Sequence, residues 1–304
     1  TSPTGYVFIC VFVLLSSIAA FLPDEFFNRN LANLDQLNRW FPFIMLVFVP
    51  AITMGIWADE RRQGTDELLL TIPASDLDVV LAKYLAGVAI YSVSLLFSMV
   101  CNIWVLKTLG QPDTGLLIGT YVGYWLTGLA MLAVGMVASF LTANLTIAYI
   151  LGGVFNAPLV LLVWADSILP DAFGGLLKQW SIAEQFAAFG RGILSVSNLL
   201  YFVTLVVVML YLSMVFISAR HWRAGSSSVP RYVFYAVQIT ALLLIGLNLC
   251  VLAGRHDLRS DVTSERLSSL SPQTVKLLSS LDAAHPIQIE AFVSPEVPET
   301  YVQT

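Results

Sequence analysis

Long apolar runs separated by short polar stretches set the pattern of this chain. A helix needs about 20 mainly apolar residues to cross the roughly 30 Å hydrocarbon core of a bilayer. Seven segments reach or approach that length: Gly5–Leu22, Phe41–Trp57, Tyr84–Leu106, Ile118–Leu141, Ile147–Leu169, Leu199–Ser218 and Tyr232–Ala253. The first two are short, and Gly119, Gly123, Gly128 and Gly135 punctuate the fourth. Pro50 and Pro158 fall inside spans, where neighbouring helices can re-satisfy the freed carbonyls. The pattern predicts an all-α polytopic membrane protein.

The intervening stretches differ from one another. Pro23–Trp40 is polar, whereas Pro170–Ser197 is long and half-apolar. The latter reads as one or two short helices at the membrane surface, with Phe173, Trp180 and Phe189 in the interface where aromatic rings settle. An ordinary external loop is the alternative. Beyond Arg255 the chain turns polar. Ser271-Pro272 puts a proline at a first helical position, and Val275, Leu278 and Leu281 recur at helical spacing. After Pro286, Ile287, Ile289, Ala291 and Val293 alternate with polar residues as a half-buried strand does. One helix and one strand cannot make a core, so residues 255–304 are expected to open a larger α/β domain.

Composition agrees with the pattern. Hydrophobic residues make up 57% and charged residues 12%, half the charge of a typical water-soluble domain at roughly 25%. The net charge of -5 comes with scattered basic residues and no Lys/Arg run, which excludes a nucleic-acid footprint. Cys10, Cys101 and Cys250 lie inside apolar segments without metal spacing and are expected to pack as small apolar residues. The chain starts Thr1-Ser2-Pro3 without Met or a basic lead. A preceding segment is therefore expected, and the first apolar run reads as a span and not as a cleaved signal.

Catalytic chemistry is hard to find. No phosphate-cradling G-x-x-x-x-G-K-[ST] occurs. His221, His256 and His285 read as surface residues, and no catalytic or metal constellation stands out. Within the spans the polar residues are Asn102, Asn156, Gln238, Asn248 and scattered Ser and Thr. The absence of a deep carboxylate counts against proton coupling, because such groups usually mark ion relays. The Asn residues either line a path or bond helix to helix. Gly119 and Gly123 are spaced for a close helix approach.

One loop breaks the apolar regime: ADERRQGTDELLLTIPAS, Ala58 to Ser75. Gln63-Gly64-Thr65 interrupts the preceding helix. Thr65 is a good N-cap for a following turn, with Asp66 and Glu67 where the helix dipole favours anions. Leu68, Leu69 and Leu70 follow, and Pro73 stops the turn. Ser75 with Asp78 predicts a capping box at the start of the next helix. A Leu triplet beside a charge cluster needs a partner protein or a membrane surface to cover it. Glu60, Arg61 and Arg62 have a second reading as a merely solvated helix end.

The stretch ADERRQGTDELLLTIPASDLDVVLAKYLAG resembles the region between the second and third membrane helices of ABC-2 type permeases. The shared pattern is an acidic-Glu-Arg-Arg cluster, Gly-Thr, a Glu-Leu-Leu run, Pro-x-Ser, and a Lys entering the next span. That resemblance implies a six-helix bundle of the type V exporter kind. It also implies a coupling helix at Gly64, Thr65, Asp66, Glu67, Leu68, Leu69, Leu70 and Pro73, flanked by Glu60, Arg61 and Arg62. This helix would dock on a separate ATPase subunit, which binds the ATP; no cofactor or metal would sit in this chain.

A second stretch is Asp261-Val262-Thr263-Ser264-Glu265, followed by Leu270-Ser271-Pro272-Gln273-Thr274, Leu277-Leu278 and Leu281-Asp282. It is similar to the start of the auxiliary component of gliding-motility ABC systems. Together the resemblances imply a permease of the gliding-motility (GldF-like) kind over residues 1–222. Residues 223–254 would form a linker and seventh transmembrane helix, and 255–304 the start of an incomplete periplasmic (GldG-like) α/β domain. Ser2-Pro3-Thr4-Gly5-Tyr6 resembles the lead-in that normally follows an amphipathic elbow helix.

Charge counting does not orient the chain. Arg61, Arg62, Lys83, Arg220, Arg223 and Arg231 nearly balance Arg29, Arg39, Lys107, Lys178 and Arg191, with Arg255 and Arg259 after the last span. The resemblance implies a bacterial inner membrane, a cytoplasmic 58–83 loop and a periplasmic C-terminal segment. It also implies a second permease copy as partner, among membrane lipids. A scaffold or channel without an ATPase is the competing function. Transport and mechanical work on an outer domain both remain compatible with the permease reading.

Overall fold

The computed structural model describes residues 3–29, 32–65, 74–168, 171–220, 228–255, 259–264, 266 and 269–280. Two compact units are present, Thr1–Ser268 and Ser269–Thr304. In the first, α1 (Pro3–Phe21) and the short α2 (Asp24–Arg29) precede the long helices α3 (Asp35–Gln63), α4 (Asp76–Leu109) and α5 (Thr114–Phe140). Next come α6 (Leu145–Leu161), a 3-10 turn (Leu162–Trp164), and the short helices α7 (Ala165–Ile168), α8 (Asp171–Lys178) and α9 (Ile182–Gly190). Strand β1 (Ile193–Ser195), α10 (Val196–Arg220), α11 (Ser228–Arg255) and strand β2 (Arg259–Asp261) complete the unit. The second unit holds α12 (Pro272–Ser279), which starts on the proline the sequence marks, with the Ser271 hydroxyl accepting from the Thr274 N–H at 3.1 Å. The strand expected over 287–293 lies outside the described residues.

Among the described residues, six helices are long and apolar enough to cross a membrane: Asp35–Gln63, Asp76–Leu109, Thr114–Phe140, Leu145–Ser167, Val196–Ala219 and Val233–Arg255. Seven spans were expected. The first apolar helix, Gly5–Phe21, is shorter than the other six; at 1.5 Å per residue it reaches about 26 Å. Pro42 and Pro50 sit within α3 without ending it. Most of the α5 span is buried, whereas most of the α11 span is exposed.

Why α5 can be the central helix is written in its small residues. A Cβ on Gly128 would lie 2.1 Å from the Tyr91 ring, and one on Gly135 2.4 Å from Thr53 Oγ1. A Cβ on Gly123 would lie 2.6 Å from Phe189. Each missing side chain thus admits a neighbour, from α4, α3 and α9 in turn. The Gly119/Gly123 pair receives the chain's own α9 and the turn after it. Around this wall the rings of Phe41, Tyr124 and Phe186 stack, with Phe41 and Tyr124 centroids 3.8 Å apart. Tyr91 donates to the Tyr124 carbonyl at 2.6 Å.

Some polar groups bond between helices and others within their own. Asn102 of α4 donates to Tyr121 of α5 at 3.2 Å and accepts from Ser17 of α1 at 3.0 Å, while Ser16 and Ser98 share a bond of 2.7 Å. Asn156 and Asn248 bond carbonyls of their own helices. Cys250 is buried as expected, but Cys10 and Cys101 face outward from the bundle.

At the end where α3 begins, two short helices form from the half-apolar stretch, as the sequence predicts. Phe173 is exposed there. Phe189 is a correction: α9 buries it against Gly123 and the Phe202 ring, so it is core and not interface. Ser181 caps this helix, accepting from Glu184.

The segment after α11 returns to the same end. Strand β2 pairs antiparallel with β1, Leu194 facing Ser260, and Val262 N–H donates to the Gly192 carbonyl at 3.0 Å. Gly192 has φ 74 and holds a turn that most side chains would strain. Asp113 caps α5 and also accepts from the Ser264 N–H at 3.0 Å and its hydroxyl at 2.9 Å. Residues 259–264 thus form a strap across the start of α5. Burial pushes the Asp113 carboxyl up, but bonds from Leu116, Ser264 and Gly115 outweigh it and hold the group below its usual range.

Two outcomes follow from this packing. Gly128→Ala should overpack the Tyr91 contact and cost about 1–3 kcal/mol, read as a lower melting temperature in detergent. Gly153→Ala, with open space around it, should cost far less; equal losses would contradict the close-approach account. For the strap, a carboxyl held low when folded stabilises above its unfolded value near about 3.9 and loses that contribution as pH falls through the folded value. Asp113→Ala should therefore speed amide exchange at Val262 and Ser264 by about tenfold, the worth of a bond to a charged group. The wild type should lose the same protection only below about pH 4; unchanged exchange in the variant would mean that the strand pair alone holds the strap.

Candidate functional site

At the opposite end of the bundle α3 stops and α4 starts, with the polar loop between them. Gly64, φ 68, ends α3 in a Schellman closure: its N–H donates to the Arg61 carbonyl and the Thr65 N–H to the Glu60 carbonyl, at 3.0 Å for the latter. Ser75 and Asp78 form the predicted capping box of α4. Asp66, Glu67, Leu68, Leu69, Leu70 and Pro73 lie outside the described residues. What the structure describes is the frame that holds this segment on both sides.

That frame is more than a solvated helix end. Glu60 meets Lys83 of α4 at 2.5 Å, and the Lys83 ammonium also donates to the Ile56 carbonyl at 2.8 Å while lying 4.5 Å from the Trp57 ring centroid. Arg61 donates to the Phe140 carbonyl and lies over the Phe140 ring, 5.4 Å from its centroid. Phe140 is the last residue of α5, whose final carbonyls have no intrahelical donor and whose dipole favours a cation. Only Arg62 matches the solvated reading, pairing with Asp59 of its own helix at 2.9 Å in an exposed position.

Side chains without a sequence signal complete the frame. The Ser139 hydroxyl accepts from the N–H groups of Trp57 and Ala58, at 3.1 and 3.2 Å, and donates to the Met54 carbonyl at 2.9 Å. It thereby ties three backbone groups of one stretch of α3 to the end of α5. Ser218, near the end of α10, donates to Asp76 at the start of α4 at 2.6 Å. Four helix ends, from α3, α4, α5 and α10, are joined around the loop. Lys83 was visible as a lone cation entering an apolar span; Ser139 and Ser218 looked like any other small polar residue.

The arrangement ties the ends of separate helices to one another. No cluster of three or more potential metal ligands occurs among the described residues. The Lys83 side chain is 15% exposed and that of Glu60 33%, so Lys83→Met should strand a half-buried carboxylate and cost about 1.5–3 kcal/mol. Arg62→Gln removes an exposed pair and should cost at most about 1 kcal/mol. Melting temperatures of the two variants compare these directly; a Lys83→Met loss no larger than that of Arg62→Gln would remove the strut from the frame.

A family model described as "ABC-2 family transporter protein" matches residues 15–182. No curated protein and no solved structure matches the chain. The matched stretch covers more than half of the sequence and includes all of α3, α4, α5 and the polar loop. The chain therefore belongs to the ABC-2 transporter family, the membrane permeases of ABC transporters.

Proposed function

We propose that this chain is the permease subunit through which a separate ATPase drives an ABC-2 complex of the gliding-motility kind. The ATPase would bind and hydrolyse ATP, and residues 64–73 would form the coupling helix seated on it. The observation that carries the reading is the tied frame on either side of that segment. Glu60 with Lys83, and Arg61 with the end of α5, join the flanks of the loop to separate helices. A push on the loop would then move α3, α4 and α5 together.

In this reading residues 1–222 are the permease, 223–254 lead through a further span, and 255–304 open a periplasmic α/β domain. With Gly5–Phe21 spanning as a short helix, the described chain has seven crossings. The loop is then cytoplasmic and the C-terminal segment periplasmic, in a bacterial inner membrane. A second permease copy completes the complex. The match to a permease family supports an ATPase partner, and the strap supports a chain whose outer segment is tied to its membrane helices.

Affinity purification of the tagged full chain in mild detergent, followed by mass spectrometry and an ATPase assay, tests this. An ATPase should co-purify with the wild type and be lost from the Glu67→Lys, Leu69→Asp double variant. Co-purification unaffected by the double variant would move the docking site elsewhere. An ATPase absent under every mild condition would favour a scaffold or channel.

A further inference from the structure

At the end of the bundle away from the polar loop lies a cavity of about 630 Å³ between the start of α3, the 3-10 turn after α6, and α9. Its lining is two-sided. Arg39 and Arg191 bring two exposed guanidinium groups, with Asp35 beside them, so the charged lining carries a net positive charge. Trp40, Phe43 and Trp164 bring an aromatic surface. The Phe43 and Trp164 rings stack at 5.3 Å and 27°, and Trp40 meets Phe43 edge-on at 6.1 Å. Trp40 and Trp164 stay 49% and 48% exposed, so this surface is open on one side.

The back wall is rigid. Phe186 is buried in the stack with Tyr124, and Asn38 is held by the Tyr124 hydroxyl at 2.6 Å. The position along the spans is informative too. Asp35–Phe43 is the first part of one span and Val163–Trp164 the last part of another, which puts the cavity where hydrocarbon gives way to head groups. Aromatic rings are at home at that level. A guanidinium is the side chain best shaped to bind phosphate, through two parallel N–H bonds.

We propose that this cavity binds a phosphate-bearing amphiphile: its head group on Arg39 and Arg191, its first methylenes along Trp40, Phe43 and Trp164. The volume falls within the range of small-molecule sites, about 300–1,000 Å³, which suits a head group and the beginning of a chain. The remainder of the chain leaves past the two half-exposed tryptophans. An apolar ligand would make no use of the arginines, and a free anion none of the rings. Binding here requires no ATPase and holds independently of the coupling role of residues 64–73.

The test uses the full chain reconstituted in phosphatidylcholine vesicles, with brominated acyl chains as quenchers of tryptophan fluorescence. The chain has seven tryptophans, so the signal of the cavity is taken as the difference between wild type and Trp40→Phe, Trp164→Phe. Brominated phosphatidylglycerol should quench that difference at a several-fold lower mole fraction than brominated phosphatidylcholine. Arg39→Gln with Arg191→Gln should abolish the preference, the corresponding Lys pair should keep part of it, and Lys107→Gln, outside the cavity, should leave it intact. Gel filtration and helical content check that each variant folds. Equal quenching by the two lipids, or a preference that survives the Gln pair, overturns the proposal. Inorganic phosphate added to the vesicles should not relieve the quenching; full relief would show a site for phosphate alone and overturn it as well.

Discussion

In lipid no hydrophobic force draws one helix to another, so helices hold where their backbones can come close and their polar groups can meet. Everything in this bundle depends on α5 satisfying that condition on several sides at once. Its glycines remove the side chains that would stand between it and Tyr91, Thr53 and Phe189. Once the approach is made, the ring stack of Phe41, Tyr124 and Phe186 and the Asn102 cluster fill in around it. Individual interhelical hydrogen bonds in membranes are worth about 0.6–2 kcal/mol, so the many contacts along α5 must act together.

The two ends of α5 then meet different chemistry. Its last carbonyl is taken by Arg61 and its penultimate side chain by the backbone of α3, beside the polar loop between α3 and α4. Its first turn is capped by Asp113, which also receives Ser264 from the far side of the sequence. One buried helix therefore touches both the loop frame and the strap. A change at the loop that shifted α5 along its axis would be felt directly where the strap docks, with no intermediate chain of side chains to invoke.

Spans, helix stops and caps were legible because they are local. The apolar runs mark the long helices, Gly64 the end of α3, Ser75 and Asp78 the start of α4, and Pro272 the start of α12. What escaped was every feature made by residues distant in sequence. The solvated-end alternative for Glu60 and Arg61 stayed open because their partners are distant, Lys83 lying 23 residues on and Phe140 79 residues on. Phe189 looked interfacial because a short amphipathic helix reads the same whether it lies on lipid or in a groove of glycines. Nothing local in the 261–264 stretch marks its docking either: Val262 bonds Gly192 and Ser264 bonds Asp113, each far away in sequence.

The strap also has a thermodynamic side. Helix α11 ends at Arg255 and β2 begins at Arg259, so docking is a unimolecular event on a very short tether. Short tethers give effective concentrations in the millimolar range, and a 1 mM dissociation constant corresponds to only about 4.1 kcal/mol. A three-residue strand pair with a few bonds to one aspartate, far too weak to hold as a free peptide, is thus held in place by the helix that delivers it. The same arithmetic makes the docking sensitive: altering α11 or its junction would release the strap without touching any residue that binds it.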